Sequence, residues 1–224
     1  AKLTLSEKTN KKNMLEDMEK HFEGFAGSVK SVMNEAARGI LSGVHGTVAS
    51  VIKVESKYAT ATEIALGAAI QNIITEDERS AKDCIYFLKS KNLGRATFLP
   101  LSTVSGRKLD ERNLYGEQGY LGIASDLIEY DERFRGIIEQ LLGRTAIVET
   151  IDNATNMARA NKYAFKIVTL DGQVVNPGGS LTGGSVGRNT GILSRTNEIE
   201  KLEAEIAELS EELKILLLPK GPND

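Results

Sequence analysis

Six apolar residues near the start of the chain, Leu15, Met18, Phe22, Phe25, Val29 and Val32, follow one another at steps of 3, 4, 3, 4 and 3. Six more near its end, Ile199, Leu202, Ile206, Leu209, Leu213 and Leu216, repeat those steps. Each set forms one narrow seam along a helix. A seam this narrow needs a partner helix, and each end of the chain supplies one. The chain enters through the first and leaves through the second, so pairing within one chain is antiparallel. The alternative is two surface helices packed separately on a globular body. Upstream, Lys8 and Lys11 take seam positions, and Gly24 and Gly27 mark a kink or an early helix end. Thr196 or Asn197 suits the cap of the last helix, and Pro219, Gly221 and Pro222 end it. The spacing thus predicts a helix over 1–32, a helix over 193–218 and a tail over 219–224. The opening Ala1-Lys2-Leu3 already looks mid-helix, which suggests a piece of a longer protein.

Between the helices, 33–192 reads as an α+β (mixed α/β) body. Val44–Val54 is β-rich, 58–72 is a small-residue helix, and Ile73-Ile74 begin a short strand. Ser80–Lys91 is helical, with Gly94 as its stop. Ala96–Leu99 is a strand, 126–142 an irregular helix, Ala146–Glu149 a strand and 153–162 a helix. Phe165–Leu170 and Gln173–Val175 pair as a hairpin across Asp171-Gly172. Shifted by 73 residues, Ile74-Thr75-Glu76 meets Ile147-Val148-Glu149, and Ser80-Ala81 meets Asn153-Ala154. Each copy is a strand, an acidic turn, a cap and a helix. Two pseudo-symmetric subdomains follow, roughly 33–115 and 116–192.

Chemistry is harder to find. The stretch Asn176–Ser185 is glycine-rich, but it has no Lys-Ser/Thr for a phosphate loop and no Gly-x-Gly-x-x-Gly for a dinucleotide. Gly178-Gly179 and Gly183-Gly184 fit a contact surface better than a merely structural loop or an anion site, because glycines let another backbone approach. Glu76-Asp77-Glu78 and Asp126, Glu129, Asp131 and Glu132 suit solvated caps. His45 has no serine–acid arrangement around it, and Cys84 has core spacing with Leu88. A single cysteine and two histidines leave no ligand set for a metal, and no apolar run reaches membrane-spanning length. No active site, metal or cofactor is expected in these residues.

Twenty-eight Lys+Arg against 31 Asp+Glu leave no global positive field for nucleic acid. Lys30 and Arg38 lie where the first helix meets the body, and Arg188 and Arg195 where the last helix begins. Paired end helices would gather these four into a patch that either touches phosphates or solubilises the junction.

The stretches Gly43–Val48, Glu63–Gly67, Gln71–Ile74, Leu93–Leu101, Ala124–Ile128, Leu142–Thr145, Val168–Gly172, Asn176–Gly179 and Leu181–Ser185 follow one another along the chain. In this order they resemble the hinge domain of bacterial structural maintenance of chromosomes (SMC) proteins with stubs of its flanking coiled coil. The resemblance covers about 22–192. It implies a homodimerising hinge of two similar subdomains, with Gly178, Gly179, Gly183 and Gly184 at the contact between subunits. It implies seam residues Leu15, Met18, Phe22, Ile199, Leu202, Ile206, Leu209 and Leu213 in an antiparallel coiled coil. The wider family implies ATPase heads at the far end of the arms, kleisin-type subunits bound only at those heads, and DNA compaction and segregation at the nucleoid in the cytoplasm. Two other readings stay open: a module that chiefly binds DNA, or a nucleotide-binding enzyme domain using the glycine-rich loop.

Overall fold

In the computed structural model, residues 2–187 and 191–217 are described. The strand–cap–helix repeat is present twice, in matching detail. In the first half, β1 (Val44–Thr47) runs antiparallel to β3 (Ile73–Thr75), and β3 runs parallel to β4 (Phe98–Pro100). In the second half, β5 (Tyr120–Ile123) runs antiparallel to β7 (Thr145–Val148), and β7 runs parallel to β8 (Lys166–Thr169). The parallel steps cross over through α5 (Glu78–Ser90) and α7 (Ile151–Ala160), each begun by a side-chain cap. Asp77 accepts from the Ser80 N–H at 2.8 Å, and Thr150 Oγ1 accepts from the Asn153 N–H at 3.2 Å. That bond, with the Ser80 side chain, holds the Asp77 carboxyl below its ordinary range.

Both antiparallel pairs bulge at a glycine, Gly46 (φ +139°) and Gly122 (φ +154°). The turns before them match too. Gly43 (φ +71°) and Gly119 (φ +76°) accept from the N–H groups of Glu76 and Glu149 at 2.8 and 2.9 Å. A methyl on either would collide, at 2.1 Å from Ser80 Oγ and 2.3 Å from Asn153 Oδ1. The two crossover helices end alike, with Asn92 and Lys162 in left-handed conformation and Leu93 and Tyr163 donating back to Leu88 and Ala158.

The halves meet on a local twofold. Within the first, β1 leads through a one-turn helix, α3 (Val48–Val51), to β2 (Ile52–Lys53); in the second, β5 leads through a 3-10 turn to β6 (Glu129–Tyr130). β2 and β6 pair with each other, antiparallel, Ile52 opposite Tyr130 and Lys53 opposite Glu129. Equivalent strands facing head to tail is the arrangement a twofold axis requires. The helices that follow, α4 (Ser56–Leu66) and α6 (Arg135–Leu142), pack between the sheets. They build a central core with Val48, Ile74, Ile147 and Val168. Outside it, α7 covers the second sheet with Ala154, Met157 and Ala158 against Ile167, while Cys84 and Leu88 of α5 pack against Ile73. The connector after β4 lies tightly on α6. Methyls on Gly106 and Gly143 would sit 2.0 and 2.2 Å from backbone atoms of Gln140 and Arg107. The second sheet gains β9 (Val174–Val175) and β10 (Leu181–Thr182), in the order β10-β9-β8-β7-β5.

Two expectations change at the ends of elements. The first long helix is two: α1 (Lys2–Lys20) and α2 (Gly27–Ala37). Phe22 takes the left-handed position (φ +51°) that stops α1, with Glu23 donating to Met18 and Phe22 to Glu19. Its ring meets Phe25 edge-on at 5.7 Å. Val29 and Val32 therefore leave the seam and pack with Ile73, Cys84 and Leu88 of the body. The irregular helix over 126–142 begins as a helix only at Arg135, because β6 interrupts it.

The last helix, α8 (Ile192–Leu217), lies antiparallel along α1, and ion pairs set the register. Lys8 pairs with Glu205, Lys11 with Glu198 at 2.8 Å and Lys12 with Glu203 at 3.8 Å, while Thr196 Oγ1 donates to Glu19 at 2.6 Å. Lys8 and Lys12, rather than Lys11, are the lysines tucked toward the seam. Pro219, Gly221, Pro222 and the tail lie outside the described residues.

Candidate functional site

Strand β10 ends its sheet, so among the described residues no strand pairs with its far side, and Leu181 on it is 63% exposed. An open edge bearing an apolar side chain is a site for adding a strand or a second sheet. The glycines flanking it have separate local tasks. Gly178 (φ +86°), Gly179 (φ +101°) and Gly184 (φ +139°) all need left-handed backbone. The first two turn the chain between β9 and β10, with Gly178 donating to the Tyr163 carbonyl at 2.9 Å and Gly179 to that of Asn176 at 3.0 Å. Gly179 lies close under the Tyr163 ring. Gln173 clamps Gly184 twice, accepting from its N–H at 2.8 Å and donating to its carbonyl at 2.9 Å. A methyl on Gly183 would strike that Gln173 amide oxygen at 2.1 Å. Only Gly178 and Gly184 look onto open space. Part of the demand for glycine is thus met within one chain, and Leu181 and Gln173 are the residues that spacing alone missed.

The second place of interest is the root of the paired helices. Ser28 Oγ donates to the Arg95 carbonyl at 2.6 Å, and Gln71 accepts from the Ala26 N–H at 2.8 Å. Glu63, on α4, accepts from the Ile192 N–H at 2.6 Å. Burial pushes its carboxyl above the ordinary range, against the pull of the Ile192 and Leu193 amides and of Arg195. Arg195 Nη1 donates to the Glu23 carbonyl at 3.0 Å, and its buried Nε has no partner. Glu63 has no signature in spacing, since a carboxylate at a helix face is usually solvated.

Three of the four basic candidates lie among the described residues, each in a different setting. Lys30 is half-buried on α2; Arg38 is exposed at the far end of that helix and pairs with Glu35 at 2.6 Å. Arg195 is committed to the α1–α2 turn, and Arg188 lies outside the described residues. Of the seam, Ile199 and Leu202 are buried, Leu15, Met18, Ile206, Leu209 and Leu213 are half-buried, and Phe22 sits beyond the helix.

The remaining titratable groups serve structure. His45 Nε2 lies 2.5 Å from Glu76 Oε2, and its ring meets Phe134 edge-on. Burial, with Asp83 adding to it, pushes the Cys84 thiol up to about 11. Among the described residues no group of three or more His, Cys, Asp or Glu could hold a metal ion, and no helix is long and apolar enough to cross a membrane.

Comparison with known proteins agrees with this architecture. The flexible hinge domain of SMC proteins matches residues 41–158. The chromosome partition protein Smc of Bacillus subtilis (strain 168) is 43% identical over 211 residues, covering 92% of this chain. The chain spans 18% of that relative's length. Among solved structures, an asymmetric dimer of the Geobacillus stearothermophilus SMC hinge domain is similar at a TM-score of 0.85 and 37% identity, over 96% of this chain and 87% of that one. The Pyrococcus furiosus Smc hinge domain with an extended coiled coil follows at 0.61 and 29%, over 96% and 82%. The match over residues 41–158, with these similar proteins beside it, shows that the chain belongs to the SMC hinge domain family.

Proposed function

We propose that this chain is the homodimerisation hinge of a chromosome-partition SMC protein, joining two long coiled-coil arms at their apex. The observation that carries the proposal is β10, an outer strand with an exposed Leu181, in a chain similar to a hinge solved as a dimer. The β10 edge meets the sheet of a second copy, and Gly178 and Gly184 leave room for its backbone. The helix pair α1–α8 is the start of each arm. In this reading ATP hydrolysis belongs to heads at the far ends of the arms, kleisin-type subunits bind there, and the molecule works on the chromosome in the cytoplasm.

Light scattering over a concentration series tests the assembly. The native chain should weigh as two copies, and Leu181→Lys should weigh as one with an unchanged circular dichroism spectrum. A native chain that stays single at about 100 µM, where micromolar contacts are saturated, ends the proposal. Substituting the glycines is the poorer test, because three of them need left-handed backbone inside the subunit.

Weak DNA contact near the root of the arms is the finer part of the proposal. Its support is Lys30 and Arg38 on α2, since Arg195 is engaged by the Glu23 carbonyl. Replacing Lys30 and Arg38 with Glu should weaken duplex binding and flatten its salt dependence. Unchanged affinity and slope remove α2 from the DNA path.

A further inference from the structure

The α8 helix begins against the first half, although the chain reaches it from the second. After β10 it passes the Gln173 clamp at Gly184 and Val186 beside Ile64 and Thr60 of α4. The first N–H groups of a helix have no partner inside it. Here the Ile192 and Leu193 N–H groups are met by Glu63, a residue of a different helix. Gly191 leaves room for that carboxylate: a methyl there would sit 2.1 Å from Glu63 Oε2 and force it to shift. Arg195, one turn into α8, lines the same cavity as Glu63 and donates to the Glu23 carbonyl in the α1–α2 turn. Leu193 beside it is buried in the central core.

We infer that Glu63 is a positioning residue that caps α8 from α4 and fixes the direction in which the helix pair leaves the body. Helix propensity does not supply this direction. A helix capped by its own preceding residue keeps its orientation free, whereas a cap borrowed from α4 ties the first turn of α8 to the body. Because Arg195 of α8 in turn holds the Glu23 carbonyl of the α1–α2 turn, fixing the first turn of α8 bears on both members of the pair.

The test measures direction rather than stability. Spin labels at Lys89→Cys on α5 and Glu208→Cys on α8, both exposed, report the angle between body and arm. Buried Cys84 stays unlabelled in the folded chain. Labelled chains are diluted with unlabelled ones so that only distances within a chain are read. The native distribution should be narrow, and Glu63→Ala should broaden it. Glu63→Gln, whose amide oxygen still accepts, should restore most of the narrowness. Exchange at the Ile192 and Leu193 amides should quicken about fivefold or more in Glu63→Ala, as loss of a cap requires, with the Ile147 amide unchanged. If Glu63→Ala does not fold, Gly191→Ala, which forces the carboxylate away, should broaden the distribution instead. A Glu63→Ala or Gly191→Ala chain as narrow as the native one overturns the inference, and so does a Glu63→Gln chain as broad as Glu63→Ala.

Discussion

Leu202 is 3% exposed on α8 and belongs to none of the three apolar clusters of the body. The ion pairs place it opposite the turn of α1 that carries Lys8 and Lys12. No residue of α1 is itself fully buried. Nineteen residues with no buried anchor make a marginal helix alone, so α1 depends on the few side chains that α8 presents. Leu202→Ala removes most of one such side chain. Replacing a buried Leu in this way costs about 2–5 kcal/mol, and a seam only two helices wide, with no fully buried residue on α1, sits near the lower end, about 2 kcal/mol. The surrounding ion pairs are half-exposed and each contributes at most about 1 kcal/mol, so they cannot offset the loss. Two kcal/mol is a factor of about 30 in an opening equilibrium. Amide exchange along α1 should therefore quicken about 30-fold in Leu202→Ala, while Ile147 and Val168, in β7 and β8, keep their native protection. Body amides that lose protection in step with α1 would refute the reasoning, because arm and body would then open as one unit.

Other consequences follow from matched sites in the two halves. Gly43→Ala and Gly119→Ala each force a side chain into left-handed backbone and into Ser80 or Asn153; each should cost about 1–3 kcal/mol in urea unfolding. Exchanging the charges of Lys8 and Glu205 should leave the α1–α8 pairing within about 1 kcal/mol of native, whereas Lys8→Glu alone should loosen it, read as helical signal on heating. The depressed Asp77 carboxyl stabilises the fold fully above its ordinary range, and the contribution fades as pH falls through its lower folded value. Asp77→Asn, which still caps but cannot titrate, should flatten the stability profile on its acid side, below the ordinary carboxylate range. Cys84 should react with a thiol reagent no faster than the body unfolds, and fast labelling of the folded chain would contradict its burial.

The repeat was legible because Ile74 and Ile147 sit in equivalent central strands, where burial on both faces forces apolar residues. Of the two bulged outer strands, β1 was legible within the β-rich stretch Val44–Val54, but β5 was not, since it is only four residues long and Gly122 interrupts its apolar signal. Both terminal helices were legible from their seams, but a 3-4 spacing cannot say what covers a face. Val29 and Val32 keep the seam's period while packing on the body, because Phe22 has already ended α1. At β10 the glycines stood out and Leu181 did not, since an isolated leucine beside a turn is ordinary in a sequence and informative only at an open sheet edge. Glu63 escaped for a similar reason: its partners are more than a hundred residues away along the chain.

The anchors of the helix pair bear on how tension crosses this domain. Gln71, Arg95 and Glu63, which hold the α1–α2 turn, α2 and α8, all belong to the first half. A pull along the arm therefore enters through residues 63–95 and, apart from the covalent link that joins β10 to α8, reaches the β10 edge by crossing between halves. The strand pairing of that crossing is short, two residues on each side, supplemented by the Leu109 N–H on the Gly143 carbonyl, the Tyr120 hydroxyl on Glu111 and the Lys108–Asp126 ion pair. The interleaved helices α4 and α6 and the core they share must carry the force instead. Such a joint resists by volume rather than by bonds: it yields little to a small load and, once its packing is breached, yields all at once.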